Sequence, residues 1–167
     1  QAAATTLVIR ELVRRECESL LAGSSQAVLK IILTRGSGGR GYRAPENPLP
    51  TVIVSVHPAP PAVQDPVALR WCKTAIAIQP ALAGIKHLNR LEQVLGRAEW
   101  NDPDIFDGIM FDTEDRVVCA TSANLFALIG GRWLTPGVAR CGVAGIARAW
   151  VLANAADAVE ADLSAAE

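Results

Sequence analysis

The sequence predicts a mixed α/β (α+β) fold in two lobes. Two runs rich in β-branched residues, AVLKIILTR and TVIVSVH, stand in the first third of the chain. A connector with four prolines in ten residues, HPAPPAVQDP, follows them. Beyond it, helical periodicity alternates with short strand-like runs. The lobes are expected at residues 1–57 and 67–167, with 58–66 as a stiff linker.

The elements follow in order. From Leu7 to Leu21, the residues Leu7, Val8, Leu12, Leu20 and Leu21 fit a helix with Arg and Glu between them, ended by Gly23, Ser24 and Ser25. AVLKIILTR and TVIVSVH read as two largely buried strands joined by a Gly-rich loop and a Pro-rich stretch. After the linker, VALRWCKTAIAI is a long strand candidate. IKHLNRLEQVLGRAEW is predicted as a helix, with Leu88, Leu91, Leu95 and Ala98 on one face. DGIMFDT, RVVCAT and ANLFALIGGRWLT form short strands set apart by Asp, Glu and Gly turns. RCGVAGIARAWVLANAA is a Gly-rich turn opening into a helix, and AVEADLSAAE then stops abruptly.

At 167 residues and 50% apolar, the chain can bury a sizeable core. A net charge of -1 argues against nucleic acid or a membrane surface as partner, and the apolar runs are too short to span a bilayer. The N-terminus lacks a signal-peptide layout and a starting Met, and it opens directly into a helix pattern. Both ends are therefore expected to be cut from a larger protein. Cys17, Cys72, Cys119 and Cys141 are scattered and only His57 and His87 could assist them, so no metal site is expected. Buried free thiols of a cytoplasmic protein are the expectation. Of 16 basic residues, only Lys30, Lys73 and Lys86 are lysines. A lysine amine with a chemical role has few places to be.

Two glycine-rich stretches invite a phosphate. RGSGGRGY, residues 35–42, follows a strand, but RAPENPLP comes next and cannot begin a helix, and no Walker lysine is present. What remains is a loop carrying Arg35 and Arg40, which a solvated turn explains as well as an anion site does. CGVAGIAR has the context that the first stretch lacks. Gly142 and Gly145 open a helix whose free amides suit a phosphate, although glycines kept for close packing explain the pattern at least as well. Lys86, between Ile85 and an apolar helix face, reads as partly buried at a helix head. Lost hydration there would free its amine, where the plain alternative is a surface charge.

AGIKHLNRLEQVL, RGSGGRGY, SANLF, WLTP and RCGVAGIAR, in their places along the chain, resemble the 4-amino-4-deoxychorismate lyase family. That family belongs to the fold-type IV pyridoxal-phosphate enzymes, beside branched-chain and D-amino-acid aminotransferases. The resemblance runs from about Leu7 to the end. It implies pyridoxal 5'-phosphate as cofactor, a small-molecule substrate and a homodimer. Lys86 would form the Schiff base, and the amides of Ile146 and Ala147 would hold the cofactor phosphate. Arg90 stands where transaminases of this fold place a Tyr near the phenolic oxygen. Asn124 would lie at the cofactor's edge, and Arg40 with Tyr42 would face the substrate carboxylates. The resemblance also implies a Glu against the pyridine nitrogen, where this chain has Cys119. A thiol is a poor partner for a pyridinium, which weakens transamination more than an elimination driven by aromatisation. Members also carry segments before and after the part seen here. An aminotransferase of the same fold, or an inactive truncated domain, are the alternatives to the lyase.

Overall fold

The computed structural model describes residues 2–23, 26–63 and 65–165, with side chains from Arg10 onward. The chain divides into two compact units, 1–64 and 65–167.

The first unit holds helix α1 (Ala2–Leu21) and strands β1 (Ala27–Thr34) and β2 (Thr51–Pro58). Gly23, at φ +85°, takes the left-handed conformation just past the helix. Ser24, Ser25 and the side chains of Leu7 and Val8 lie outside the described residues. β1 and β2 pair antiparallel from Ala27↔Pro58 to Thr34↔Thr51, so residues 35–50 form the loop between them. Its two ends touch at Gly36 (φ +88°), where a Cβ would fall onto the Leu49 carbonyl oxygen. The strands are not largely buried as predicted: Val28, Ile31, Leu33 and Ile53 are exposed. A two-stranded ribbon has two faces, and this unit has one helix, which packs against β2.

The second unit has two three-stranded sheets, β3-β4-β5 and β6-β7-β8. The first contains β3 (Ala68–Trp71), β4 (Ile105–Phe111) and β5 (Val117–Ala120), with helix α2 (Leu91–Arg97) between β3 and β4. β3 and β4 run parallel and β4 and β5 antiparallel. The second contains β6 (Ala127–Ile129), β7 (Arg132–Pro136) and β8 (Ala158–Ala161), with helix α3 (Ile146–Asn154) linking the parallel pair β7 and β8. Parallel neighbours need such crossovers. The core joins Cys72, Ile76, Trp100, Met110, Val118, Cys119 and Cys141. Every residue of β5 is buried.

Three predicted elements change. VALRWCKTAIAI is a strand only over 68–71. Beyond it the chain is held by carboxylates instead of a ladder: Glu99 accepts from the amides of Lys73 and Thr74, and Glu92 accepts from Ala77. Ile76 rejoins as an isolated bridge to Asp112. The segment AVEADLSAAE, which read as an abrupt stop, contributes β8.

The helix predicted from Ile85 begins at Leu91, so Lys86 does not sit at its head. Gly84 is bonded to Gly142 and Ala144, and the Ile85 and His87 amides donate to the Leu82 and Ile85 carbonyls; the apolar stripe behind that prediction faces outward. Leu88, Leu91, Val94 and Leu95 are all exposed, whereas the buried residue of α2 is Gly96, against Met110.

Candidate active site

A cavity of about 600 Å3 opens in the second unit. Its geometry starts from one isolated parallel bridge, Gly84↔Val143. The Gly84 amide donates to the Gly142 carbonyl at 3.1 Å, and the Ala144 amide donates to the Gly84 carbonyl at 3.0 Å. Lys86 follows on one side of this bridge and the start of α3 on the other, and both line the cavity. Asn124 Nδ2 donates to the Val143 carbonyl at 2.9 Å and ties the loop before β6 to the same point.

The α3 start is open. Its N-cap is Gly145, and no side chain caps the first turn. A Cβ at residue 145 would collide with Asn124 Oδ1, so glycine is required there by close approach. The first amides of a helix have no intrahelical partner and lie at the positive end of its dipole. Arg148, 5% exposed, stands in that first turn and also lines the cavity. Its Nη2 donates to the Pro136 carbonyl and to Glu160 Oε1, at 2.8 and 2.7 Å. Its buried Nε has no partner. The uncapped start, with its free amides lining the cavity, fits an anion.

Lys86 is exposed and not partly buried, so the predicted loss of hydration is absent from this chain. Its segment bends out of the Gly84 bridge toward the cavity instead of entering a helix. Of the two lysines in this unit, Lys73 and Lys86, it is the one that lines the cavity. Arg90, half-buried at the same wall, donates from Nη2 to the Ile85 carbonyl (2.7 Å) and from Nε to the His87 carbonyl (3.2 Å).

Cys119, on β5, faces the cavity and is buried. Burial first, and its neighbour Cys141 next, push its thiol up to about 12, while Arg90 pulls weakly the other way. It is therefore a neutral S–H at neutral pH, unable to supply the charge that a carboxylate would. Among the described cysteines, Cys72, Cys119 and Cys141 are buried and Cys17 half-buried, all as free thiols.

The structure also shows site residues that the sequence reading did not single out. Thr121 and Ser122 line the cavity, and behind them Asp107 is 5% exposed. Asp107 Oδ1 accepts from Thr121 Oγ (2.5 Å), Gly108 N (2.7 Å) and Thr121 N (3.2 Å), and Oδ2 accepts from Ser122 Oγ (2.9 Å). Burial raises this carboxyl's pKa, but the hydrogen bonds from Thr121, Gly108 and Ser122 outweigh it and hold it below the usual value. Gln93 lines the cavity with its Oε1 buried and unpartnered. Arg148 was within sight, in the GIAR stretch. Asp107 gave no local signal, because its side-chain partners lie 14 and 15 residues onward.

Lys86, Arg90, Cys119, Asn124, Ile146 and Ala147 thus share one cavity. Arg40 and Tyr42 are exposed residues of the 35–50 loop in the first unit. Among the described residues, no group of three or more His, Cys, Asp or Glu is placed to hold a metal, and no helix is long and apolar enough to cross a membrane.

The family model for amino-transferase class IV matches residues 4–167. The chain belongs to the class IV aminotransferase family. It is 41% identical over 130 residues to an aminodeoxychorismate lyase of Vibrio harveyi, covering 75% of this chain and 48% of that protein. The crystal structure of 4-amino-4-deoxychorismate lyase from Pseudomonas aeruginosa superposes with a TM-score of 0.85 at 41% identity, over 93% of this chain and 61% of that one. A branched-chain aminotransferase from Thermoproteus uzoniensis, at 15% identity and a TM-score of 0.79 over 94% of this chain and 56% of its own, shares the fold. The chain spans about half the length of the curated relatives it matches. Class IV aminotransferases and their lyase relatives use pyridoxal phosphate.

Proposed function

We propose that this chain is part of a pyridoxal-phosphate-dependent lyase that converts 4-amino-4-deoxychorismate into 4-aminobenzoate and pyruvate. The observation that carries this reading is the Gly84↔Val143 bridge, which sets Lys86 and the open start of α3 on one cavity. The 41% identity to two lyases supports the same choice.

The residues present fit the cofactor's anionic end. The amides of Ile146 and Ala147 would hold its phosphate, at a helix start that no side chain caps. Lys86 would carry it covalently, Arg90 would stand near its phenolic oxygen and Asn124 would border its edge. Bound there, pyridoxal phosphate supplies an aldehyde for the substrate's amine and a sink for electrons.

Once displaced from the cofactor by the substrate's amine, Lys86 would have a free amine with which to move a proton. As the cavity's one lysine, it takes the proton from the ring carbon that bears the amino group. That electron pair closes the aromatic ring as the ring carbon–oxygen bond breaks. Enolpyruvate leaves and becomes pyruvate on protonation. Arg40 and Tyr42, on the exposed 35–50 loop, are the candidates for the substrate's carboxylates. The protein would be a cytoplasmic homodimer, for which the exposed Leu88, Leu91, Val94 and Leu95 offer an apolar face.

An aminotransferase is the second reading, and Cys119 argues against it. A neutral thiol cannot hold a positive charge on the pyridine nitrogen, which transamination needs more than an aromatising elimination does. A pyruvate-release assay run beside an amino-transfer assay on the full protein decides between them. The Lys86→Ala variant should lose at least about a thousandfold in turnover. Substantial remaining activity would refute the assignment of Lys86, and amino transfer without pyruvate release would refute the lyase.

A further inference from the structure

Lys86 lies in a segment with little regular structure of its own. It is neither in a helix nor in a named strand, and its side chain is exposed. Inside the segment, the Ile85 amide donates to Leu82 and the His87 amide donates to Ile85. Two further bonds cross it, and both come from Arg90. Its Nη2 reaches the Ile85 carbonyl at 2.7 Å and its Nε the His87 carbonyl at 3.2 Å. These are the carbonyls of the residues immediately before and after Lys86.

We propose that Arg90 is a positioning residue for Lys86, a two-pronged clamp that fixes the backbone on both sides of the lysine and so aims its amine into the cavity. The inference rests on the reading of Lys86 as the cofactor-bearing lysine. It assigns Arg90 a task distinct from any contact with the cofactor. Two donors of one planar guanidinium, held at a fixed spacing, meet two carbonyls two residues apart. An ammonium or a single amide cannot span both with that rigidity.

The anchor is itself fixed. Arg90 is the N-cap position of α2, so its backbone moves with the first turn of that helix. α2 is in turn held through Glu92 on the Ala77 amide and through Gly96 packed against Met110. Gly84, on the other side of the lysine, is fixed by its exchange with Gly142 and Ala144. Lys86 is thus suspended between two rigid points, and removal of Arg90 would release one of them.

The test uses the chain's own three lysines as a competition. The wild-type chain, Arg90→Met and Arg90→Gln are incubated with limiting pyridoxal phosphate and reduced with borohydride. The phosphopyridoxyl adduct is then mapped across Lys30, Lys73 and Lys86. Methionine keeps the packed stem without donors, and glutamine can serve one carbonyl but not both. Wild type should favour Lys86 over Lys73 by at least about tenfold, with the ratio falling about fivefold or more in Arg90→Met and less in Arg90→Gln.

General loosening of the unit would also lower this ratio, so local hydrogen exchange separates it from loss of the clamp. Hydrogen exchange of the 85–89 amides should quicken in both variants while that of 105–111 stays as it was. An Arg90→Met chain with wild-type preference for Lys86 overturns the clamp. Should wild type show no preference for Lys86, the cofactor reading falls, and exchange alone then judges the clamp: unchanged protection of 85–89 in either folded variant overturns it.

Discussion

Asp107 offers the most direct test of how the cavity wall is held. The perturbations are Asp107→Asn and Asp107→Ala. The carboxylate is 5% exposed and accepts from four donors: the amides of Gly108 and Thr121 and the hydroxyls of Thr121 and Ser122. A hydrogen bond to a charged group contributes about 1.5–3 kcal/mol, but four bonds to one carboxylate do not add in full. The hydroxyls border the cavity and can turn to water, whereas the Gly108 amide is buried and cannot. Asp107→Ala should therefore cost about 2–4 kcal/mol. Asp107→Asn keeps one acceptor oxygen and should cost about 1–2 kcal/mol.

Urea titration followed by tryptophan fluorescence reads this unit alone, because Trp71, Trp100, Trp133 and Trp150 all fall within 65–167. With a slope of about 1–1.5 kcal/mol/M, Asp107→Asn should lower the midpoint by roughly 1 M at pH 7. The sign of the pH dependence is fixed by the direction of the pKa shift. The folded carboxyl titrates below its ordinary value, so its stabilisation is complete above the unfolded pKa, about 3.9, and fades as pH falls through the lower folded value. The gap between wild type and Asp107→Asn should close below about pH 4. A gap that persists unchanged to pH 3, or midpoints within about 0.2 M at pH 7, would refute the account.

Gly145→Ala should destabilise the second unit by about 1–3 kcal/mol in the same titration, because its Cβ displaces Asn124 and strains the Val143 contact. It should also weaken pyridoxal-phosphate binding, read by absorbance, by about tenfold or more. Cys119 should resist iodoacetamide at pH 8. With its thiol pushed up to about 12, only about one molecule in ten thousand is a thiolate there, and labelling as fast as that of half-buried Cys17 would contradict the burial seen.

Much of this fold was legible wherever the signal is local. AVLKIILT and TVIVSVH announce their strands by β-branching, and CGVAGIAR announces a glycine-opened helix that starts at Ile146. What stayed hidden depends on distant partners. The stripe of Leu88, Leu91 and Leu95 looks like a helix face that should continue back to Ile85, and periodicity cannot reveal that Gly84 is bonded to Gly142 and Ala144. That pairing fixes the backbone out of the helix before Lys86 is reached. The strand expected over VALRWCKTAIAI fails for the same reason, since Glu99 and Glu92 take the amides that a ladder would use. Asp107 is the extreme case. A lone Asp in a strand reads as a surface residue, and only the fold brings Thr121 and Ser122 to it.

The same dependence explains why the site can be compact in space while its residues run from Lys86 to Val151 in sequence. Parallel strands place long crossovers between neighbours, and the unit has two such pairs, β3 with β4 and β7 with β8. Each crossover contains a short helix, α2 in the first and α3 in the second. The chain joins them at one point, where Gly84 from the first crossover and Val143 from the second pair as a bridge. A shift of that bridge by one residue would turn the peptide that follows it and carry Lys86 away from the α3 amides together. Glycine at 142, with φ +86° and a virtual Cβ 2.9 Å from Val118 Cγ1, permits one close approach and disfavours any bulkier alternative. The relation between the lysine and the open helix start is therefore set by backbone register, with Asn124 and Arg90 each bracing one side of it.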